Sequence, residues 1–186
     1  MNNIQLKIHM LVTFIALIGA INWGLTAFGY NLVKIIADTI NKFMKTDLPI
    51  EKGIYIIVAL CGIRLALRKT TWLPFLGHTV LPASLIANTK VANPDKIVTV
   101  KVKPNAKVLY WAALDKGAKP NVKEAYADFS NSGIAIADSK GNVQLSINSG
   151  SGYVVPSGRF IPKHIHYREF GLSYGLMGPV HTVMYN

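Results

Sequence analysis

Residues 8–28 form an apolar run without a formal charge, and this run constrains the fold more than any other feature of the chain. A helix of that length crosses the hydrocarbon core of a bilayer, which is about 30 Å thick. The run is too long for a signal peptide, and it is not followed by an evident small-residue cleavage site and a polar start. The sequence therefore predicts a retained transmembrane helix.

A second apolar run covers residues 53–63 and ends at Arg64. If Arg64 snorkels, a short span over residues 52–67 is feasible. Together the two runs predict a membrane-anchoring helical hairpin over residues 1–69. Between them, the apolar spacing of residues 31–44 predicts either a short interfacial amphipathic helix or an ordinary connecting helix.

The composition supports membrane content. Hydrophobic residues make up 51% of the chain and charged residues only 16%. The net charge is +11, but no run of lysine and arginine is long enough to resemble a nucleic-acid-binding tail. A basic excess beside apolar segments favours an anionic lipid bilayer as partner. Because Cys61 is the single cysteine, an intramolecular disulfide is excluded.

Residues 70–97 are apolar but contain prolines and a glycine, and they predict a connector that packs against the membrane surface or the following domain. Residues 98–186 then show short segments of alternating apolar and polar residues, separated by Gly, Pro and Asn turns. This pattern predicts an antiparallel β-sandwich of about seven strands. The chain as a whole is therefore predicted to be α+β, with a helical hairpin followed by the β-sandwich. The predicted strands include residues 98–103, 106–114, 133–137, 143–147, 160–168 and 180–185, with a short helix or irregular crossing over 122–129.

His164 and His166 are the strongest chemical signal in the β domain. On a strand, residues two apart point to the same side, so the two imidazoles share one face. Such a pair forms half of a metal site. The alternative is a pair of surface or partly buried histidines beside a basic strand.

Two short motifs relate the helical part to a family. Residues 21–25 are Ile-Asn-Trp-Gly-Leu and residues 31–33 are Asn-Leu-Val, and an apolar segment follows at residues 55–60. With these motifs the part resembles a small, functionally uncharacterised family of two-helix membrane proteins. The resemblance implies membrane integration and no established activity.

A longer series of motifs lies in the β domain. It consists of residues 106–113 with Trp111, the Ala-Asp-Ser-Lys-Gly turn at 137–141, Tyr153, and Ile-Pro-Lys-His-Ile-His-Tyr at 161–167. In this order the motifs resemble the intradiol ring-cleavage dioxygenases. The resemblance covers roughly residues 98–186 and implies a β-sandwich that holds non-haem ferric iron.

In that family two tyrosinates and two histidines hold the iron. His164 and His166 match the histidines, and Tyr153 matches the second tyrosine. For the first tyrosine, Tyr126 lies in the right region between strands, whereas Tyr110 lies within a predicted strand and is the poorer candidate. Hard phenolate oxygens together with imidazoles suit ferric iron.

One position departs from the family pattern. Ile161 stands where the family has an arginine, three residues before the first histidine. A cation there would stabilise an anionic substrate. Arg159 lies two residues earlier and is a candidate catalytic replacement, although Pro162 interrupts the strand.

The preferred interpretation is a membrane-anchored structural or interaction protein. The pairing of the two parts resembles virion membrane proteins of large DNA viruses, which implies a location in an internal membrane beneath a capsid shell. Capsid or other structural proteins are then the expected partners, and a homo-oligomer is compatible with this role. The alternative is a membrane-tethered intradiol-type dioxygenase with Fe(III) as cofactor and a catechol-like substrate.

Overall fold

The computed structural model describes residues 3–117, 119–171 and 175–186. The chain divides into two compact units, Met1–Pro74 and Phe75–Asn186. The first unit is helical and the second is rich in strands. Their boundary falls within the predicted connector, most of which belongs to the second unit.

The described part of the helical unit contains α1 (Asn3–Thr26), α2 (Leu32–Met44), α3 (Ile50–Ala66) and the short α4 (Lys69–Trp72). Helices α1 and α3 run in opposite directions, because Gly19 lies against Val58 whereas Asn22 lies against Tyr55. Helix α1 is apolar on all sides, which is typical of a helix surrounded by lipid.

By length and composition, Ile4–Thr26 is the one candidate membrane span among the described residues. Within the most apolar stretch of 18 residues in this helix, only 11% is buried inside the protein. Since a core helix of a water-soluble unit would be mostly buried, this exposure favours membrane association. Helix α3 has 17 residues and is shorter, so its crossing of the membrane stays a prediction.

A polar network joins the three longer helices. The Asn22 side chain is 1% exposed, and its amide donates to Asn31 Oδ1 and to the Tyr55 hydroxyl, each at 3.3 Å. The Asn22 oxygen accepts from the Val33 backbone N–H at 3.2 Å. The Asn31 amide donates to Glu51 at 3.3 Å. A buried amide with several partners fixes one arrangement of the helices, because any other leaves polar groups unpaired.

Two glycines of α1 provide a matched test of this packing. A Cβ at Gly19 would overlap the Val58 side chain, whereas a Cβ at Gly24 meets nothing within 4 Å. We expect Gly19→Ile to lower the free energy of unfolding by about 1–3 kcal/mol through overpacking. Gly24→Ile should stay within about 0.5 kcal/mol of the wild type. Equal effects of the two changes in detergent-solubilised protein would contradict the α1–α3 contact.

The strands of the second unit are short and antiparallel. Those within the described residues are β1 (Thr79–Val80), β2 (Lys96–Lys101), β3 (Lys107–Ala112), β4 (Ser132–Ile136), β5 (Asn142–Ile147), β6 (Tyr153–Val154), β7 (Phe160–Ile161), β8 (His164–Glu169), β9 (Leu176–Met177) and β10 (His181–Met184). A four-stranded sheet has the order β10-β8-β3-β4, and β2-β5, β6-β7 and β1-β9 form separate pairs.

The core of the second unit lies between the four-stranded sheet and the β2-β5 pair. Val108 and Tyr110 of β3 and Ile165 of β8 pack there with Leu145 and Ile147 of β5, and all five side chains are buried. Because side chains alternate along a strand, the neighbours of Ile165 in β8 point away from this core. Those neighbours are the two histidines.

Most predicted strands occur close to their expected positions, and the strand predicted over residues 160–168, with a break near its start at Pro162, occurs as two strands. Pro162 separates β7, which pairs with β6, from β8, which pairs with β3 and β10. Proline has no N–H for a strand ladder, so pairing stops there and resumes at His164. The two-residue strands β1, β6 and β9 were not predicted.

Arg168 attaches the start of the second unit to the sheet. Its side chain is 7% exposed. Its guanidinium donates to the carbonyls of Gly77 and Gly178 and to the Thr79 hydroxyl. This buried cation is held by neutral oxygens, and it keeps the segment around β1 against β8.

Candidate metal centre

Four side chains direct their polar atoms at one point in the second unit. His164 Nε2 lies 3.2 Å from the Tyr126 hydroxyl, 3.2 Å from the Tyr153 hydroxyl and 3.1 Å from His166 Nε2. The two hydroxyls are 3.2 Å apart. These four donors come from three separate elements, and sequence reasoning had selected each of them.

His164 opens β8 and is 3% exposed. Its Nδ1 lies 2.6 Å from the carbonyl oxygen of Pro162. A carbonyl only accepts hydrogen bonds, so Nδ1 carries the proton and Nε2 presents a lone pair to the cluster. Burial lowers the pKa of His164, which keeps the imidazole neutral near pH 7.

His166 is held by the two strands that flank β8. Thr182 of β10 lies directly opposite, and its hydroxyl is 2.9 Å from His166 Nδ1. On the other side, the Trp111 ring of β3 lies 5.4 Å from the imidazole. Burial, with a smaller effect of the His164 charge, lowers the pKa of His166 to about 4. When Thr182 accepts from Nδ1, Nε2 is free to bind a cation.

Tyr126 is presented by a short helix, α5 (Val122–Tyr126). Asn121 caps this helix by accepting from the Glu124 backbone N–H at 3.0 Å, and Tyr126 is 7% exposed. The Phe129 ring stacks on the Tyr126 ring at 5.5 Å. Ala127 and Phe129 both have positive φ values, 41° and 58°, in a turn directly after the tyrosine. Burial is the main cause that raises the pKa of Tyr126.

Tyr153 begins β6 and is 7% exposed. The preceding Gly152 allows the β6-β7 pair to close, because a Cβ there would overlap the Phe160 ring and approach the Ile161 carbonyl. Ile161 lies opposite Tyr153 in this pair. It packs against the cluster that contains the two tyrosines, so a hydrocarbon side chain lies where the resembled dioxygenases have arginine.

The remaining predicted residues lie elsewhere. Arg159 is exposed in the turn before β7, where its carbonyl accepts from Val155. Tyr110 is 2% exposed in the main core. The sequence reasoning missed Thr182 and Phe129. Pairing the last strand with the histidine strand in register would have found Thr182, whereas Phe129 shows no signal in the sequence.

The donor set defines what the cluster can bind. In the described residues no group of three His, Cys, Asp or Glu side chains is placed to hold a metal ion, so the tyrosine oxygens are needed to complete a site. Four donors about 2.0 Å from an ion in tetrahedral geometry lie about 3.3 Å from one another. The separations from His164 Nε2 to the other three atoms and between the two hydroxyls, 3.1–3.2 Å, are close to this spacing.

Acid should destabilise the metal-free second unit through His166. An unfolded histidine titrates near pH 6.5, whereas the folded pKa is about 4. The unfolded chain therefore binds more protons in this interval, and the stability present above pH 6.5 falls towards pH 4, by about 3 kcal/mol. We expect His166→Gln to lose less stability than the wild type between pH 7.5 and 4.5 in urea titrations. Equal losses of stability in the wild type and in His166→Gln would contradict the assignment of this pH dependence to His166.

Thr182 should influence metal affinity without touching the ion. Replacing it with valine keeps the shape but removes the oxygen beside His166 Nδ1. Outer partners of metal-binding histidines contribute about 10–100-fold to affinity. We expect a loss of that size for Thr182→Val and near-normal binding for Thr182→Ser, measured by competition with a chelator. Equal affinities of the two variants would exclude the role.

The helical unit, with its antiparallel α1 and α3 and its buried asparagine network, is the part of the chain that is similar to a known family. Residues 7–68 match the family model DUF378, a domain of unknown function. The expected resemblance of this part to an uncharacterised family is confirmed to that extent. No curated protein matches the chain.

Proposed function

We propose that this chain is a membrane-associated non-haem iron protein whose second unit is an intradiol dioxygenase-like β-sandwich. Tyr126, Tyr153, His164 and His166 are its ligands to ferric iron. The observation that carries the proposal is the convergence of two phenol oxygens and two imidazole nitrogens at 3.1–3.2 Å. Two elements that pack on the histidine face, α5 and β6, provide the tyrosines.

Charge and protonation favour this assignment. Both imidazoles are neutral near pH 7 and each has an oxygen beside Nδ1, so both can present Nε2 to a cation. The tyrosines must lose their protons on binding, and the resulting phenolates reduce the charge that a trivalent ion brings into a buried site. Phenolate is a hard ligand and favours ferric iron.

The activity we propose is ring cleavage of a catechol-like substrate. When held by Tyr126, Tyr153, His164 and His166, ferric iron would supply Lewis-acid chemistry towards a catecholate and dioxygen. Around the ligands, Trp111, Phe129 and Ile161 provide aromatic and aliphatic surface, which suits a planar ring. The resemblance to intradiol dioxygenases supports this choice of reaction.

The deciding experiment is reconstitution of detergent-purified full-length protein with a ferric salt. We expect one iron per chain and a strong visible charge-transfer band from tyrosinate. A colourless protein without bound iron would overturn the proposal. Oxygen uptake on addition of a catechol then tests the reaction.

Ile161 favours a second candidate, a structural role. With a hydrocarbon side chain at this position and Arg159 exposed, the described residues place no cation where the resembled family has one to stabilise an anionic substrate. In this role iron would join α5, β6 and β8 and stabilise a membrane-anchored module. The location proposed for this module is the internal membrane of a large DNA virus particle, beneath its capsid. Iron binding without oxygen uptake, together with membrane attachment that resists salt and yields to detergent, would support this role over catalysis.

A further inference from the structure

We propose that α2 lies at the surface of a lipid bilayer rich in anionic lipid, with its uncovered apolar face among the acyl chains. This inference goes beyond membrane association of the chain, because it assigns a second lipid contact to a helix that does not span. Thirteen residues of helix are about 20 Å long, which is less than the hydrocarbon thickness of about 30 Å.

The burial of its side chains divides α2 into three faces. Val33 and Ala37 are 4% and 2% exposed and pack within the helical unit. Leu32, Ile36 and Phe43 are 40%, 50% and 89% exposed. At 3.6 residues per turn these three exposed side chains fall within about 40° of arc, next to the packed face.

The polar face lies opposite this uncovered apolar face. Lys34, Asp38 and Asn41 are centred about 180° from Leu32, Ile36 and Phe43. A helix packed against protein on one side needs only two faces, one buried and one polar. A third, apolar and exposed, is typical of a helix that rests on lipid.

The helix cannot roll to hide its apolar face, because both ends are fixed. At the start, the Val33 N–H donates to the buried Asn22 side chain at 3.2 Å, and Asn31 caps the helix by accepting from Lys34 at 3.0 Å. At the end, the Asn41 side chain donates to the Leu48 carbonyl at 2.9 Å and accepts from its N–H at 3.3 Å.

Charge favours a bilayer with anionic headgroups over a second copy of the chain. The helix carries Lys34 and Lys42 against the single acid Asp38, and the loop that follows adds Lys45 and Asp47. Each lysine near such a surface contributes about 1 kcal/mol to binding, whereas a second copy packed on the apolar face would leave these lysines without an acidic partner. Helix α1, the candidate membrane span, also exposes apolar side chains, among them Leu11 and Phe14 at 58% and 60%.

Spin labels on full-length protein in vesicles of phosphatidylcholine and phosphatidylglycerol test the proposal. In a Cys61→Ser background, one label replaces Phe43 and a control label replaces Asp38. We expect the ratio of oxygen to nickel-chelate collisions to be several-fold higher at position 43 than at 38. Similar, water-like ratios at the two positions would overturn the proposal.

Two further readings separate the alternatives. Dipolar broadening between position-43 labels on neighbouring chains would assign the face to a second copy and overturn the lipid contact. In vesicles of pure phosphatidylcholine, the ratio of oxygen to nickel-chelate collisions at position 43 should be lower than in the mixed vesicles. The double replacement Lys34→Gln with Lys42→Gln should remove this difference between the two lipid compositions. Equal collision ratios in the two lipid compositions would contradict the preference for anionic lipid. None of these readings depends on iron.

Discussion

Iron affinity should fall by more than about 100-fold when Tyr153 is replaced by phenylalanine. Loss of an outer partner alone costs about 10–100-fold, so loss of a direct ligand should exceed this range. Tyr126→Phe should have a comparable effect, because its hydroxyl lies equally close to His164 Nε2, at 3.2 Å. Each change should also weaken the tyrosinate charge-transfer band, and the double replacement should abolish it. Visible spectra and chelator competition measure both effects.

Tyr167→Phe is the matched control for these two changes. Tyr167 lies in the same strand as the histidines, but it stacks on His181 and packs beside the main core. Its loss should leave the spectrum and the affinity unchanged. If all three variants kept the band, the colour would come from another site and the ligand assignment would fail.

The free energy of unfolding should fall by about 3 kcal/mol when Arg168 is replaced by methionine. The change leaves the carbonyls of Gly77 and Gly178 without their donor, and each unpaired buried acceptor costs about 1–3 kcal/mol. The segment around Thr79 would then detach from β8 first. Denaturant titration measures the loss, and hydrogen exchange around β1 locates it.

Arg159→Met provides the comparison, since it removes the same charge from an exposed position. Its effect on stability should stay within about 0.5 kcal/mol. A similar loss in both variants would point to net charge and not to the buried hydrogen bonds. At temperatures where Arg168→Met remains folded, its iron spectrum should match the wild type, because Arg168 does not contact the four ligands.

The candidate site could be predicted from sequence to an unusual degree because two of its residues share one strand. Alternation alone places His164 and His166 on one side, whatever the rest of the fold. Tyr126 and Tyr153 came from resemblance, since no local pattern indicates that a short helix and a two-residue strand bring them to the same point. The membrane run at α1 was evident from length and hydropathy.

The features that escaped prediction depend on contacts between distant segments. Thr182 acquires its importance only when β10 pairs with β8, and the sequence does not specify that register. The division at Pro162 was visible as a proline, but its consequence, two strands in two different sheets, follows from which neighbours each half finds. Arg168 looked like an ordinary strand residue, because the carbonyls that hold it come from residues 77 and 178.

The order in which the chain can mature follows from the distances along it between the four ligands. Tyr126 is separated from Tyr153 by 27 positions and from His164 by 38. The Thr182 hydroxyl, which contacts His166 Nδ1, belongs to β10, and this strand follows all four ligands in the chain. Under the proposed assignment, the four ligands meet only after these distant segments have folded together, so iron would be acquired by an already folded second unit. Pairing of β10 with β8 would then add the Thr182 contact to His166. Iron-starved cells should accordingly accumulate a folded precursor that can be loaded later.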